Sequence, residues 1–163
     1  MPLSAMVLPP GEGPPPPRTQ PDADRAWHYE IGPRPRQVSL ICVRVDADLR
    51  IAGYAPDIAA SMALVCAEAL NNIVEHALPG RSDGWITLEI DPAPPCRLTF
   101  RDNGAPLPDG LLLAGPGPDL SGERRDLAEG GYGWLLIRSF AESVAYTRLE
   151  EENVLQVTLR MSG

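Results

Sequence analysis

Apolar positions along the first half of this chain fall into two helical patterns. Between residues 38 and 49 apolar side chains recur every three or four positions, although the β-branched content of this stretch would also suit a strand. We interpret it as a helix that Gly53 caps at its C-terminus. A longer helix is predicted to follow Pro56, with Asp57 placed to cap it, and to run to about Leu78.

Five shorter segments, bounded by turn-forming residues, are typical of strands. They are Trp27 to Ile31, Trp85 to Ile90, Cys96 to Phe100, Val144 to Arg148 and Val154 to Arg160. The second and third are separated only by a proline-rich turn and predict a hairpin, and a third helix is predicted from Gly133 to about Ala141. Because strands and helices are grouped rather than alternating, the sequence predicts an α+β two-layer sandwich.

Two stretches lack such patterns. Residues 1–24 hold eight prolines and few groups that could form a core, which predicts a disordered or polyproline arm ahead of one domain at 25–163. No basic start leads into a long apolar stretch, so export is not expected. After Asp102 come nearly thirty residues rich in Gly, Pro and Asp, and loops of this length are usually functional or disordered.

Charge and composition exclude several function classes. The formal net charge of −8 repels phosphate backbones, and no run approaches the roughly 18 consecutive apolar residues of a membrane helix, so we expect a cytoplasmic protein that binds neither nucleic acid nor membrane. All 14 basic residues are arginine. Without lysine the chain cannot contain a Walker A loop, the strand lysine of a eukaryotic-type protein kinase, or a Schiff-base site.

Polar residues interrupt the second predicted helix along a single stripe. Ser61, Glu68, Asn72 and Glu75 follow one another at steps of seven, four and three. The stripe is either the solvent face of an amphipathic helix or part of a site. In a site, the carboxylate of Glu68 would accept a proton and the amide oxygen of Asn72 would coordinate a hard cation.

Two turn motifs have similar double interpretations. Asp102-Asn103-Gly104 is a common turn, but its carboxylate could also bond the exocyclic amino group of a base, with Gly104 allowing close approach of a ligand. Gly130-Gly131-Tyr132-Gly133 is either a hinge or a phosphate-binding segment, because it leads into a helix N-terminus with free backbone N–H groups.

Taken together and in order, these motifs resemble the GHKL ATPase superfamily, in particular the bacterial anti-sigma-factor serine kinases (RsbW-like proteins). The matching strings are ALVCAEALNNIVEHAL, LTFRDNGAPLP and EGGYGWLLIRSFAESVAY, and the order of elements agrees from Trp27 to Arg160. The resemblance implies a Bergerat-type ATP-binding fold, with a mainly antiparallel mixed sheet and helices on one face.

The resemblance also implies roles for individual residues. Asn72 would hold the Mg²⁺ that bridges the triphosphate of ATP, and Glu68 would be the base that deprotonates the attacking hydroxyl. Asp102 would bond the adenine amino group, with Gly104 beneath the base.

Further implied roles lie at the long loop and the last strand. Gly131 and Gly133 would wrap the phosphates, the preceding loop would be the ATP lid, and Thr158 would assist at the adenine through water. Without a lysine, neutralisation of the phosphates falls to Mg²⁺, backbone amides and an arginine. Arg124 and Arg125 are candidates for the arginine, with a solvated charge pair as the alternative interpretation.

The implied partners of such a kinase are proteins. The phosphate acceptor would be a serine on an anti-anti-sigma protein of the STAS type, the kinase would sequester an alternative sigma factor, and a homodimer is expected. A nucleotide-binding module that acts by sequestration alone, and a structural domain without nucleotide, remain alternatives.

Overall fold

The computed structural model describes residues 26–107 and 131–160. The proline-rich arm, most of the expected lid, and Arg124 and Arg125 lie outside these ranges. The described residues form three helices and five strands. In chain order they are β1 Trp27–Ile31, α1 Pro35–Ile51, α2 Pro56–Asn72, β2 Ile86–Asp91, β3 Arg97–Asp102, α3 Gly131–Phe140, β4 Ala141–Leu149 and β5 Glu152–Leu159.

The five strands form one sheet in the order β1-β2-β3-β5-β4. Every pairing among them is antiparallel, and β2 and β3 form the predicted hairpin. Burial alternates along β1 and β2, so one face of the sheet packs into the core and the other meets solvent. The predicted α+β two-layer fold is confirmed, and the described sheet is antiparallel throughout.

The core lies between this face and the helices. Its largest fully buried side chains come from every layer, with Phe100 and Leu88 from the sheet, Leu49 from α1, Leu70 from α2 and Ile137 from α3. Helix α2 packs against both other helices and reaches β3. It is therefore the central helix, which explains why its sequence between residues 58 and 70 is almost wholly apolar.

The second helix continues past Asn72 in a wider form. Ile73–Ala77 is a π-helical segment, in which Leu78 N–H donates to the carbonyl of Ile73 five residues earlier, at 2.9 Å. Insertions of this kind occur frequently at functional sites. At the end of this segment the Ala77 carbonyl accepts a hydrogen bond of 2.8 Å from Ala105 N–H in the loop after β3.

The structure corrects one detail of the predicted helices and refines their ends. Asp57 does not cap α2, because Ala55 is the N-cap and Pro56 already occupies the first turn, which leaves Asp57 within that turn. Its carboxylate still lies near the positive end of the helix dipole. Gly53 follows the end of α1 with φ +92°, a conformation that favours glycine, as the predicted cap requires.

One described helix passes a length and composition test for a membrane span. Pro56–Ala77 has 22 residues and a mean hydropathy of 1.3. It is also the central helix of the core, with Leu70 and Val65 fully buried, and core helices of globular domains pass the same test.

Substitution of leucines on α2 tests this packing. Leu70 is fully buried, so Leu70→Ala leaves a cavity and is expected to lower the free energy of unfolding by about 2–5 kcal/mol. Leu64, on the same helix, is 42% exposed, and Leu64→Ala is the matched control with an expected loss below about 1 kcal/mol. Urea denaturation measures both values. Equal losses would contradict the assignment of the buried face.

Candidate functional site

Glu68 and Asn72 lie one turn apart on α2, in different surroundings from the rest of the polar stripe. Asn72 is buried, with 6% of its surface exposed, and Glu68 is half-buried. Ser61 donates back to the carbonyl of Asp57 at 2.8 Å, and Glu75 is exposed. The solvent-face interpretation therefore holds for Glu75 and is wrong for Asn72, whose buried Nδ2 has no hydrogen-bond partner within residues 26–107 and 131–160.

Gly133 brings the N-terminal turn of α3 against these two side chains. A Cβ atom at residue 133 would lie 2.6 Å from Glu68 Oε2 and 3.5 Å from Asn72 Nδ2. Only glycine allows so close an approach without a shift of the Glu68 side chain. Gly131 is the first residue of the same helix, so free backbone N–H groups and the positive end of the helix dipole belong to the same region.

These residues fit the groups that the resemblance implies. An amide oxygen such as Asn72 Oδ1 is a ligand that Mg²⁺ accepts, and a helix N-terminus that begins with glycines accommodates phosphate. Asn72 Nδ2, which has no hydrogen-bond partner among the described residues, is the feature expected of a site shaped for a polar ligand. Trp134, which follows Gly133, is also buried, and its Nε1 has no partner among the described residues.

Asp102 is a buried carboxylate at the end of β3. It is 3% exposed, and its Oδ1 accepts two hydrogen bonds of 2.8 Å, one from Gly104 N–H and one from Asn153 Nδ2. Burial raises the pKa of Asp102 above its usual value, although the bonds from Asn153 and Gly104 and the charge of Arg148 partly oppose this effect. No donor to Oδ2 is found among the described residues, so this oxygen is available to a ligand.

Gly104 has a structural reason to be glycine. A Cβ atom there would lie 2.4 Å from the carbonyl oxygen of Ala77, at the end of the π-helical segment. The close approach is between two backbones, and the bond from Ala105 N–H to the Ala77 carbonyl holds it. The predicted position of Gly104 beneath a base stays a prediction, beside this packing role.

Thr158 is not near Asp102. It pairs with Arg97 at the start of β3, whereas Asp102 at the other end pairs with Asn153, five residues from Thr158 along β5. Five residues of extended strand span about 16 Å. The structure therefore does not place Thr158 beside Asp102, and its role at the adenine stays a prediction. Arg125 lies outside the described residues.

Asn153 occupies the place beside Asp102 instead, and the sequence pattern did not single it out. It is 2% exposed at the start of β5. It falls in the acidic turn at residues 150–153 that separates the last two predicted strands, and a polar residue in a turn does not indicate a site. The pairing of β5 with β3 places Asn153 opposite Asp102. The residue pattern of β5 alone does not predict this register.

Two glycine substitutions distinguish packing from site geometry. Gly104→Ala places a methyl group against the immobile Ala77 carbonyl, so we expect the free energy of unfolding to fall by about 1–3 kcal/mol. Gly133→Ala meets the end of the flexible Glu68 side chain, so stability should change by less than about 1 kcal/mol while Glu68 is displaced. Urea denaturation of both variants is the measurement, and a larger loss for Gly133→Ala would contradict it.

The raised pKa of Asp102 predicts a pH-dependent stability. The pKa of Asp102 is higher in the folded state than in the unfolded state, so the protonated side chain contributes stability to the fold. This contribution is complete below the unfolded pKa and is lost as pH rises through the folded pKa. Asp102→Asn retains an oxygen for the two donors and cannot ionise. Relative to the wild type, this variant should become more stable between pH 4 and pH 7 in urea denaturation. A difference that is constant or falls with pH would contradict the prediction.

Comparison with known proteins identifies the family of this chain. No curated protein matches the chain. The structure is similar to the histidine kinase domain of the Erythrobacter litoralis EL346 blue-light activated histidine kinase, with a TM-score of 0.47 and 17% identity, covering 79% of this chain and 61% of that chain. This likeness is too slight to support a functional argument. Residues 31–160 match the family described as "Histidine kinase-like ATPase domain", and they include every site residue described above. This chain therefore belongs to the histidine kinase-like ATPase domain family.

Proposed function

We propose that this chain is an ATP- and Mg²⁺-dependent protein serine kinase that phosphorylates an anti-anti-sigma protein of the STAS type and sequesters an alternative sigma factor. Membership of the ATPase family supports ATP binding. The observation that carries the kinase proposal is the half-buried Glu68 carboxylate, which lies against the N-terminal turn of α3 with Asn72 one turn away.

Glu68 supplies the proton acceptor for the transfer. The serine hydroxyl of the partner attacks the γ-phosphorus of ATP and loses its proton to a carboxylate oxygen of Glu68. The new serine–phosphorus bond forms as the bond from the γ-phosphorus to the β,γ-bridging oxygen breaks, and ADP leaves with that oxygen. Glu68 is suited to this role because its half-buried carboxylate lies against Gly133 in the N-terminal turn of α3, where the phosphates are proposed to bind.

The other site residues hold the nucleotide. Oδ2 of Asp102 accepts a hydrogen bond from the base, and the backbone N–H groups of the Gly131–Gly133 turn receive the phosphates. Asn72 would hold Mg²⁺, which when bound offsets phosphate charge. In this acidic chain without lysine, these groups and an arginine, Arg125, would offset the charge of the phosphates.

The partners and the compartment are part of the same proposal. A STAS acceptor, a sigma factor, a homodimer and a cytoplasmic location all follow from the resemblance to anti-sigma-factor kinases, and an ATP-dependent serine kinase of that class works where its sigma factor does. Sequestration without phosphoryl transfer is the competing function, and it requires neither Glu68 nor an acceptor serine.

A phosphotransfer assay separates the two functions. The chain is incubated with γ-labelled ATP, Mg²⁺ and a candidate STAS protein, and label is expected on a serine of that protein. Glu68→Gln should lower the transfer rate by about 10²- to 10⁴-fold while ATP still binds. Asn72→Ala should weaken ATP binding itself, and chelation of Mg²⁺ by EDTA should stop transfer.

Matched controls come from the same helix and its π-helical extension. Glu75→Gln changes an exposed carboxylate, and Asn71→Ala changes the amide beside Asn72, so both should retain wild-type transfer. Undiminished transfer in Glu68→Gln would refute the assigned base. ATP binding without any labelled serine would favour sequestration alone.

A further inference from the structure

Asn153 is the centre of a buried polar network that joins the last hairpin to the turn after β3. Its Oδ1 accepts from Arg148 Nη1 at 2.8 Å and from the hydroxyl of Tyr146 at 2.7 Å. Its Nδ2 donates to Asp102 Oδ1 at 2.8 Å and to the carbonyl of Ala105 at 2.9 Å. All four hydrogen-bonding positions of the amide are therefore used.

The orientation of this amide follows from the chemistry of its neighbours. A guanidinium group can only donate, so the atom that faces Arg148 must be the carbonyl oxygen. The carbonyl of Ala105 can only accept, so the atom on that side must be the NH₂ group. A flipped amide would place donor against donor and acceptor against acceptor at 2% exposure. Arg148 thus determines which group Asn153 presents to Asp102.

The consequence falls on the carboxylate of Asp102. Its Oδ1 receives both Asn153 Nδ2 and Gly104 N–H, which fills the two lone-pair positions of that oxygen. Oδ2 alone is left for a ligand. The carboxylate therefore offers one acceptor oxygen to a base rather than the two parallel oxygens of a bidentate contact.

We propose that Asn153 is a positioning residue that determines base selectivity: by occupying Oδ1 of Asp102, it makes the site accept the single amino donor of adenine and disfavour guanine. This inference rests on the proposed binding of ATP at this site. Adenine presents one exocyclic amino group, for which Oδ2 suffices. Guanine carries a carbonyl in that position and presents its donors as an adjacent N1–H and N2–H pair, which both oxygens of a carboxylate are needed to accept.

Calorimetric titration of the full chain with ATP and with GTP, both with Mg²⁺, tests the proposal. We expect the wild type to bind ATP much more tightly than GTP. Asn153→Ala removes the hydrogen bond to Asp102 Oδ1 and with it a restraint on the orientation of the Asp102 carboxylate. It should therefore lower the ratio of the GTP to the ATP dissociation constant by about tenfold or more. Circular dichroism and the melting temperature establish that the variant is folded.

Asn153→Asp provides a second variant of the same shape. Its carboxylate still accepts from Arg148 and Tyr146, but it cannot donate to Asp102 unless it is protonated. The charged side chains that act on Asp102 are Arg148 and Glu152, and neither changes in this variant. The ATP affinity of Asn153→Asp should therefore be lost at pH 8 and partly regained at pH 5, whereas that of the wild type should not rise on acidification.

Asn103→Ala is the matched control. Asn103 anchors the same turn through bonds with Trp85 N–H and the carbonyl of Asp83, and none of its described bonds involves Asp102. Its selectivity ratio should stay within about twofold of the wild type. An equal loss of selectivity in this control, or an unchanged ratio in folded Asn153→Ala, would overturn the assignment to Asn153. Absence of ATP binding by the wild type would instead refute the proposed function on which the inference rests.

Discussion

The site depends on how closely two backbone segments approach helix α2 where no side chain intervenes. At one position Gly133 brings the start of α3 against Glu68 and Asn72, and at the other Gly104 brings the turn after β3 against the carbonyl of Ala77. The two contacts lie along one continuous helix, which the π-helical segment widens between them. Glu68 and Asn72, the proposed proton acceptor and cation ligand, and the turn that follows Asp102 are thus positioned by one continuous helix. A Cβ at either glycine would alter that spacing, but with different consequences, because one neighbour is a movable side chain and the other is backbone.

A second constraint is electrostatic. Asp102 is buried and acquires no direct contact with a cation in the described residues; Arg148 acts on it at a distance and through the amide of Asn153. A direct salt bridge would satisfy the carboxylate more fully and leave less of it for a ligand. The neutral amide of Asn153 lies between Arg148 and Asp102 and donates only to Oδ1 of the carboxylate, so Oδ2 stays free to accept from a ligand. A buried carboxylate whose charge is only partly offset by its neighbours is expected where the charge contributes to binding rather than to stability.

Much of the fold could be predicted because its elements are strongly patterned. The helical recurrence in α1 and the apolar run of α2 identified the helices, and the site candidates Glu68 and Asn72 followed from their spacing on one face. Asp102 could be found because it ends a strand. Contacts between strands distant in sequence could not be predicted in this way. The position of Thr158 along β5 was consistent with a site residue, and only the register with β3 shows that Asn153, not Thr158, meets Asp102. The packing of Gly104 on Ala77 could not be predicted either, because it involves a π-helical segment that the periodicity of the sequence does not indicate.

The limit on predicting strand register has a general physical basis. Side chains along a strand alternate with a period of two, so a pattern identifies which face a residue occupies but not how far along the neighbouring strand it lies. Thr158 and Asn153 differ by five residues and one change of face, and the acidic turn before β5 gives no anchor for counting. In the folded chain the anchor is the hairpin itself, where Arg148 pairs with Asn153 across β4 and β5 and both side chains turn toward the loop after β3. The residues that orient the buried carboxylate are therefore supplied by the β4–β5 hairpin, whose strands are joined by two residues. This explains why Arg148 and Asn153, which lie outside the recognised motifs, nevertheless orient Asp102.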